Sequence, residues 1–150
     1  MRANRRMNTA PELRLRSELF RRGLRFRIDS VISCGGARAR PDIVFFRRRL
    51  AVFVDGCFWH GCSVHRVAPR TNVAYWEPKV RRNMQRDREQ SAALERLGWL
   101  VIRVWEHDDP ADAAERIASE WRVRSAKMSG GGRYEETKNA GLLHGRRCPE

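Results

Sequence analysis

The sequence predicts an α/β protein in which a mixed β-sheet is flanked by helices, and three observations carry this expectation. Three stretches repeat apolar residues at helical spacing and carry helix start or stop signals. Short runs rich in Val, Ile, Phe and Trp lie between them. The resulting order, α, β, β, β, α, β, α, suits one sheet covered by helices. At 150 residues the chain fits a single domain with room for its own core.

Thr9-Ala10-Pro11-Glu12 has the pattern of a capping box, and Leu13, Leu15, Leu19 and Phe20 follow at helical spacings up to Gly23, so the first helix is expected over residues 10–22. Residues 25–29 are expected to extend as a first strand, and residues 30–40, with Gly35 and Gly36, to form a loop. The Ile-Val-Phe-Phe content of residues 42–46 marks a strand. Arg47-Arg48-Arg49 makes a charged turn, and Leu50 to Val54 is a short apolar run suited to a central strand. After a loop over residues 56–77, Pro78 opens a long helix that runs through Leu97 and ends at Gly98. Trp99 to Trp105 is the last strand. Asp109-Pro110 starts a final helix whose Ala113, Ala114, Ile117, Ala118 and Trp121 share one side. From Ser125 the composition turns to Ser, Gly, Lys and Glu, so a domain is expected over residues 1–124 and a disordered tail over residues 125–150.

Thirty-one basic against eighteen acidic side chains give a formal charge of +13, which points to a polyanionic partner and first to nucleic acid. A membrane surface fits less well, because no basic amphipathic helix and no long apolar run accompanies the charge. The basic residues are nearly all arginine; a guanidinium forks onto phosphates, and a GC-rich coding genome would leave the same bias. Positive charge near Met1 is followed by no apolar stretch, so the sequence has no secretory signal and a cytoplasmic location is expected. In that reducing compartment clustered cysteines favour metal ligation over disulfides, while the isolated Cys34 and Cys148 are best taken as free thiols.

The chemistry concentrates in Val54-Asp55-Gly56-Cys57-Phe58-Trp59-His60-Gly61-Cys62-Ser63-Val64-His65. Neither a buried strand nor an idle exposed loop would gather so many polar, metal-binding and aromatic side chains. Asp42, opening a buried strand, is costly unless its charge is matched, and a divalent cation is the strongest match; the plainer alternative is a turn cap after Pro41. A hairpin would bring Asp42 and Asp55 to one rim able to hold Mg²⁺ and activate a water. Cys57, Cys62, His65 and His107 form a tetrahedral set suited to structural Zn²⁺, spaced Cys-x4-Cys-x2-His with the fourth ligand from the end of a strand.

Three blocks, Arg40-Pro41-Asp42-Ile43-Val44-Phe45, the twelve residues from Val54 to His65, and Arg103-Val104-Trp105-Glu106-His107, together resemble the very short patch repair endonucleases. These are mismatch-directed DNA nickases built on the PD-(D/E)xK nuclease core, and the resemblance runs from about residue 1 to about residue 107. It implies a restriction-endonuclease-like core with a structural zinc site, and hydrolysis that nicks one strand beside a T:G mismatch left by 5-methylcytosine deamination. By the same resemblance Asp42 is a Mg²⁺ ligand, the Val54 backbone carbonyl a second, and His60 the catalytic histidine that helps activate water. Glu12 would support that site, although it also completes the capping box. The lysine of the general nuclease pattern is replaced by Cys57, which leaves water activation to His60. The resemblance also places zinc ligands at the Gly-Cys-Phe-Trp cysteine, in the loop after it and just after Trp-Glu, and His107 stands where cysteine is also found. By the resemblance Phe58 and Trp59, which as residue types would usually be core, wedge between bases together with Trp76 and Met1. Asn83, Arg86 and Asp87 lie on the long helix beyond Trp76, where the family is similar, and Arg86 suits a solvated helix face as well as a phosphate contact. The implied partner is double-stranded DNA with a T:G mismatch, met by a monomer in the bacterial nucleoid, with mismatch-repair proteins as further candidates. Two rivals are a restriction-like or defence nuclease that ignores mismatches, and a zinc-stabilised DNA-binding protein without catalysis.

Overall fold

The computed structural model describes residues 8–34, 37–57, 60, 62, 64 and 73–128. Helix α1 (Ala10–Arg21) has Pro11 in its first turn. The expected capping box does not form: Glu12 accepts the backbone N–H of Asn8 rather than that of Thr9, at 3.0 Å, together with the Thr9 hydroxyl at 2.9 Å, and the Thr9 side chain caps no backbone N–H. At the other end Gly23, with φ 78°, closes the helix; its N–H and that of Leu24 donate to the carbonyls of Phe20 and Leu19. Leu15 and Leu19 are buried, whereas Leu13 and Phe20 are exposed.

The next segment departs from expectation. Residues 25–29 form no strand, only a single antiparallel bridge between Arg27 and Val44, and Asp29 at φ 57° turns the chain away from further pairing. Strands β1 (Ile32–Cys34) and β2 (Ala37–Ala39) instead pair as an antiparallel hairpin inside the stretch expected to be a loop. Gly35-Gly36, the dipeptide between them in sequence, lies outside the described residues.

Strands β3 (Ile43–Phe45) and β4 (Leu50–Asp55) are antiparallel, joined by a 3₁₀ turn at Phe46–Arg48 and a left-handed Arg49 at φ 47°. Strand β5 (Leu100–Trp105) runs parallel to β4 on its other side, giving the order β3-β4-β5. Helix α2 (Val73–Arg96) makes the crossover, and α3 (Pro110–Met128) follows β5. The sheet is therefore mixed. Helix α2 begins before Pro78, which lies inside it, contrary to the expected start. The turn that lacks the proline N–H is bridged by Lys79 donating to the Tyr75 hydroxyl at 2.5 Å and Arg81 to Glu77 at 2.9 Å. Helix α3 reaches four residues past the expected domain edge, to Met128; the rest of the expected tail lies outside the described residues.

Alternation along the strands makes a three-layer arrangement. Ile43, Phe45, Leu50, Val52, Val54, Leu100, Ile102 and Val104 pack against Leu15 and Leu19 of α1 and Ala113, Ala114, Ile117 and Ala118 of α3. On the opposite face Val44, Ala51, Phe53 and Val101 meet Leu94 of α2 and Ile32 and Ala39 of the hairpin. Strand β4, central and covered on both sides, is an apolar run as far as Asp55. Asp109 caps α3, its Oδ1 accepting the N–H groups of Ala111 and Asp112 at 2.8 and 3.1 Å. Near the other end of α3, Arg124 donates to the carbonyls of Arg48 at 2.7 Å, Arg49 at 3.1 Å and Gly98 at 3.4 Å, beside the amino ends of β4 and β5. No described helix is long and apolar enough to cross a membrane.

Candidate active site

The polar cluster gathers where β4 ends. The register that pairs Ile43 with Val52 sets Asp42 beside the last residues of β4. Its N–H donates to the Val52 carbonyl at 3.0 Å, and its Oδ2 accepts the Val54 N–H at 2.7 Å. Burial raises the Asp42 carboxyl to about 6; the charges of Glu12 and Asp55 add to the rise, while the Val54 N–H and Arg16 oppose it. Glu12, 4 % exposed, stands behind Asp42. Arg16 links the two, donating to Glu12 Oε2 at 3.0 Å and to the Asp42 carbonyl at 3.4 Å. A negative, desolvated pocket of this kind favours a divalent cation. A cleft of about 340 Å³ opens beside Val54, between Pro11 and Arg14 of α1 and the turn from Glu106 to Pro110.

Asp55 lies on the α2 side of β4 and is 4 % exposed. Both its oxygens accept from Arg103 Nη1, at 2.8 and 2.7 Å. Arg103, on β5, also donates through Nη2 to the Asp87 carbonyl at 3.2 Å and through Nε to Ser91 Oγ at 3.3 Å. Asp87 in turn holds His60, with Oδ2 at 2.5 Å from Nδ1, and Asp55 Oδ1 is 3.7 Å from the same nitrogen. Burial alone would lower the His60 imidazole, but the hydrogen bond to Asp87 and the charges of Asp55 and Asp87 outweigh it and set the group above its ordinary 6.5. Burial would likewise raise Asp87, yet the bond with His60 and the charges of His60, Arg103 and Arg86 bring it below the ordinary value. The pair is thus an acid-base couple with its ring orientation fixed.

One turn further on, Cys57, Cys62 and His107 converge with their ligand atoms within 4.8 Å of one another. Cys57 Sγ is 3.0 Å and Cys62 Sγ 3.9 Å from His107 Nδ1. The loop is held by Cys62 N–H to Cys57 O at 3.2 Å and Cys57 N–H to Glu106 Oε1 at 2.7 Å, while the Trp105 ring stacks on that of His107. Burial pushes the Cys57 thiol up to about 12, with Cys62 and Glu106 adding to the effect. A bound cation would reverse this, since it supplies the positive charge that thiolates need. The group could hold a metal ion, and its sulfur and imidazole donors suit a borderline-soft one.

Of the residues singled out from sequence, Glu12, Asp42, Val54, Asp55 and His60 come together, and Cys57, Cys62 and His107 form the neighbouring cluster. Trp76 is half-buried in the first turn of α2, packed edge-on against Tyr75 at 5.0 Å. Asn83 and Arg86 lie further along α2 and bond to each other at 3.2 Å. Met1, Phe58, Trp59 and His65 lie outside the described residues. Sequence reasoning missed the partnership of Asp87 with His60, placed Arg103 and Glu106 in a motif without giving either a role, and missed Arg16. A signal existed for Arg103, a lone charge inside Val101-Ile102-Arg103-Val104-Trp105 that demands a partner.

Comparison with known proteins places the chain in a family. Residues 1–66 match the model of the family described as DNA mismatch endonuclease Vsr. The type II nicking enzyme V.NaeI of Lentzea aerocolonigenes is 51 % identical over 118 residues, covering 78 % of this chain and 71 % of that protein. The type II nicking enzyme V.XorIIP of Xanthomonas oryzae is 45 % identical over 101 residues, 66 % of this chain and 71 % of that protein. The DNA mismatch endonuclease Vsr of Escherichia coli K12 is 41 % identical over 108 residues, 71 % of this chain and 66 % of that protein. The family model spans Glu12, Asp42, Asp55, Cys57, His60 and Cys62, and with relatives at 51 % and 41 % identity the chain belongs to the Vsr family of DNA endonucleases.

Proposed function

We propose that this protein nicks one strand of duplex DNA beside a T:G mismatch, using Mg²⁺ at Asp42 and His60 to deprotonate the attacking water. The observation that carries the reading is a half-buried Asp42 and the His60–Asp87 couple at one end of β4, with Asp55 acting on both. Bound Mg²⁺ would supply the charge that stabilises the scissile phosphate in in-line attack. Asp42 is the carboxylate that would hold it, with the Val54 carbonyl beside it. His60 takes the proton, and Asp87 keeps the imidazole turned and stabilises its charged form. Glu12 and Arg16 fix Asp42 from behind, and Asp55 holds His60 from the strand side. Cys57, Cys62 and His107 would hold Zn²⁺, with His65, outside the described residues, as the candidate fourth ligand, and the ion would pin the loop carrying His60. Phe58, Trp59, Trp76 and Met1 wedge into the stack, and Asn83 and Arg86 contact the backbone; a mismatched step yields to a wedge most easily. The nuclease domain, which runs to the end of α3 at Met128, acts as a monomer in the cytoplasm.

A binding protein without catalysis would gain nothing from keeping Asp42 in a setting that opposes its ionisation. The mismatch reading is tested with duplexes that differ only in a T:G or T:A pair, incubated with and without Mg²⁺, followed by mapping of the nick. A nick confined to the T:G duplex and dependent on Mg²⁺ is expected. Equal cleavage of both duplexes, or cutting set by matched flanking sequence, would favour a restriction-like nuclease.

Zinc is expected to copurify at about one atom per chain, because one four-ligand set uses the clustered Cys and His residues. Cys62→Ser should lower both the melting temperature and the nicking rate. Elemental analysis finding no zinc in freshly purified, active protein would remove this site. A proton competes with Mg²⁺ for Asp42, so Mg²⁺ affinity should fall up to about tenfold per pH unit below about 6 and level off above it. Mg²⁺ titrations of nicking from pH 5 to 8 measure this, and a half-saturation constant independent of pH would exclude Asp42 as a ligand.

A further inference from the structure

We propose that Arg103 is a positioning residue for water activation, a role that rests on the reading of His60 as the proton acceptor. Arg103 lies on β5 and reaches three groups on two other elements. Its Nη1 takes both oxygens of Asp55 at the end of β4, its Nη2 takes the Asp87 carbonyl on α2, and its Nε takes Ser91 one turn later. Its Nη2 is also 3.8 Å from Asp87 Oδ1, and its guanidinium carbon lies 4.8 Å from the Phe53 ring centre, a cation–π contact that fixes the plane of the fork.

The two carboxylates that Arg103 touches are the two that face His60 Nδ1. Without the guanidinium, Asp55 and Asp87 would approach one imidazole from separate elements with nothing to set their spacing. With it, β4, β5 and α2 are joined at one planar group, and the imidazole is held between acceptors whose positions are fixed. Only a fork does this: one arm is fully used by Asp55, and the other must span to the α2 backbone. An ammonium is a point charge and can neutralise Asp55 without also fixing Asp87.

Arg103→Lys and Arg103→Met separate positioning from mere charge balance, with the parent and His60→Ala as references. The readouts are single-turnover nicking at saturating DNA, the DNA dissociation constant, the melting temperature, and the ¹⁵N shift of His60 Nδ1. Arg103→Lys should keep the melting temperature and DNA affinity close to those of the parent, yet lose about 10²-fold in rate, with the His60 Nδ1 signal displaced. Arg103→Met should lose at least as much rate and also stability, because Asp55 is left buried and unpaired. Parental rate and an unmoved His60 signal in Arg103→Lys would overturn the proposal, leaving Arg103 as a counter-charge only; this variant decides the matter even if Arg103→Met fails to fold. If His60→Ala itself nicks at the parental rate, the underlying reading of His60 fails instead.

Discussion

Replacing Asp42 with Asn should lower the nicking rate about a thousandfold or more, roughly 4 kcal/mol of transition-state stabilisation, while the fold and mismatch binding survive. The amide oxygen can still accept the Val54 N–H, so the bond at the end of β4 is kept while the charge is removed. Stability should move in the opposite direction from activity. The folded Asp42 value of about 6 lies above its ordinary 3.8, so its contribution is present below the lower value and lost as pH rises through about 6. The difference is on the order of 3 kcal/mol at neutral pH. In Mg²⁺-free buffer at pH 8 the Asn variant should therefore melt at or above the parent, with the gap closing at pH 4. A variant that nicks at full rate with Mg²⁺ would take Asp42 out of the mechanism.

His60→Ala should lose about 10²- to 10⁴-fold in single-turnover rate and keep its zinc and its melting temperature. The pH profile gives a sharper check, because a base works only when deprotonated and His60 is held above 6.5. Nicking at saturating Mg²⁺ should rise with pH through a midpoint above that value. Asp87→Asn removes the largest influence that holds the group up, so its midpoint should fall below the parent's even as its rate drops. His60→Ala protein that unfolds and loses zinc would show His60 to be a ligand, and an unchanged midpoint in Asp87→Asn would separate Asp87 from the titrating group.

The parts legible in sequence were those whose cause is local. Gly23 and Gly98 stop their helices where a left-handed residue is needed, at φ 78° and 79°, and Asp109 starts α3 by capping it. The apolar run from Leu50 to Val54 announced a central strand. The β1–β2 hairpin escaped because Ile32-Ser33-Cys34 and Ala37-Arg38-Ala39 are three residues each and too small to show a period. Residues 25–29 carry Phe26 and Ile28 in strand-like alternation, yet the left-handed Asp29 allows one bridge only. The start of α2 was obscured by Pro78, which reads in sequence as a helix start and lies inside the helix instead. In the site, the dense segment after Val54 declared His60, Cys57 and Cys62. Asp87 and Arg103 acquire meaning only when α2 and β5 are laid against β4, since Arg103 is 48 positions from the Asp55 it binds.

The Arg124 contacts have a practical side for anyone building on this protein. They fasten the last turns of α3 to the amino ends of β4 and β5, whereas Asp55 and Trp105 mark the opposite ends of the same strands. Six residues of extended chain separate the two ends, about 20 Å. A fluorophore, affinity handle or solid support joined just after Met128 would therefore be anchored away from the scissile phosphate. A truncation that removes Arg124 would instead leave three carbonyls without their shared donor, and would unfasten the sheet at the end opposite Asp55 and Trp105.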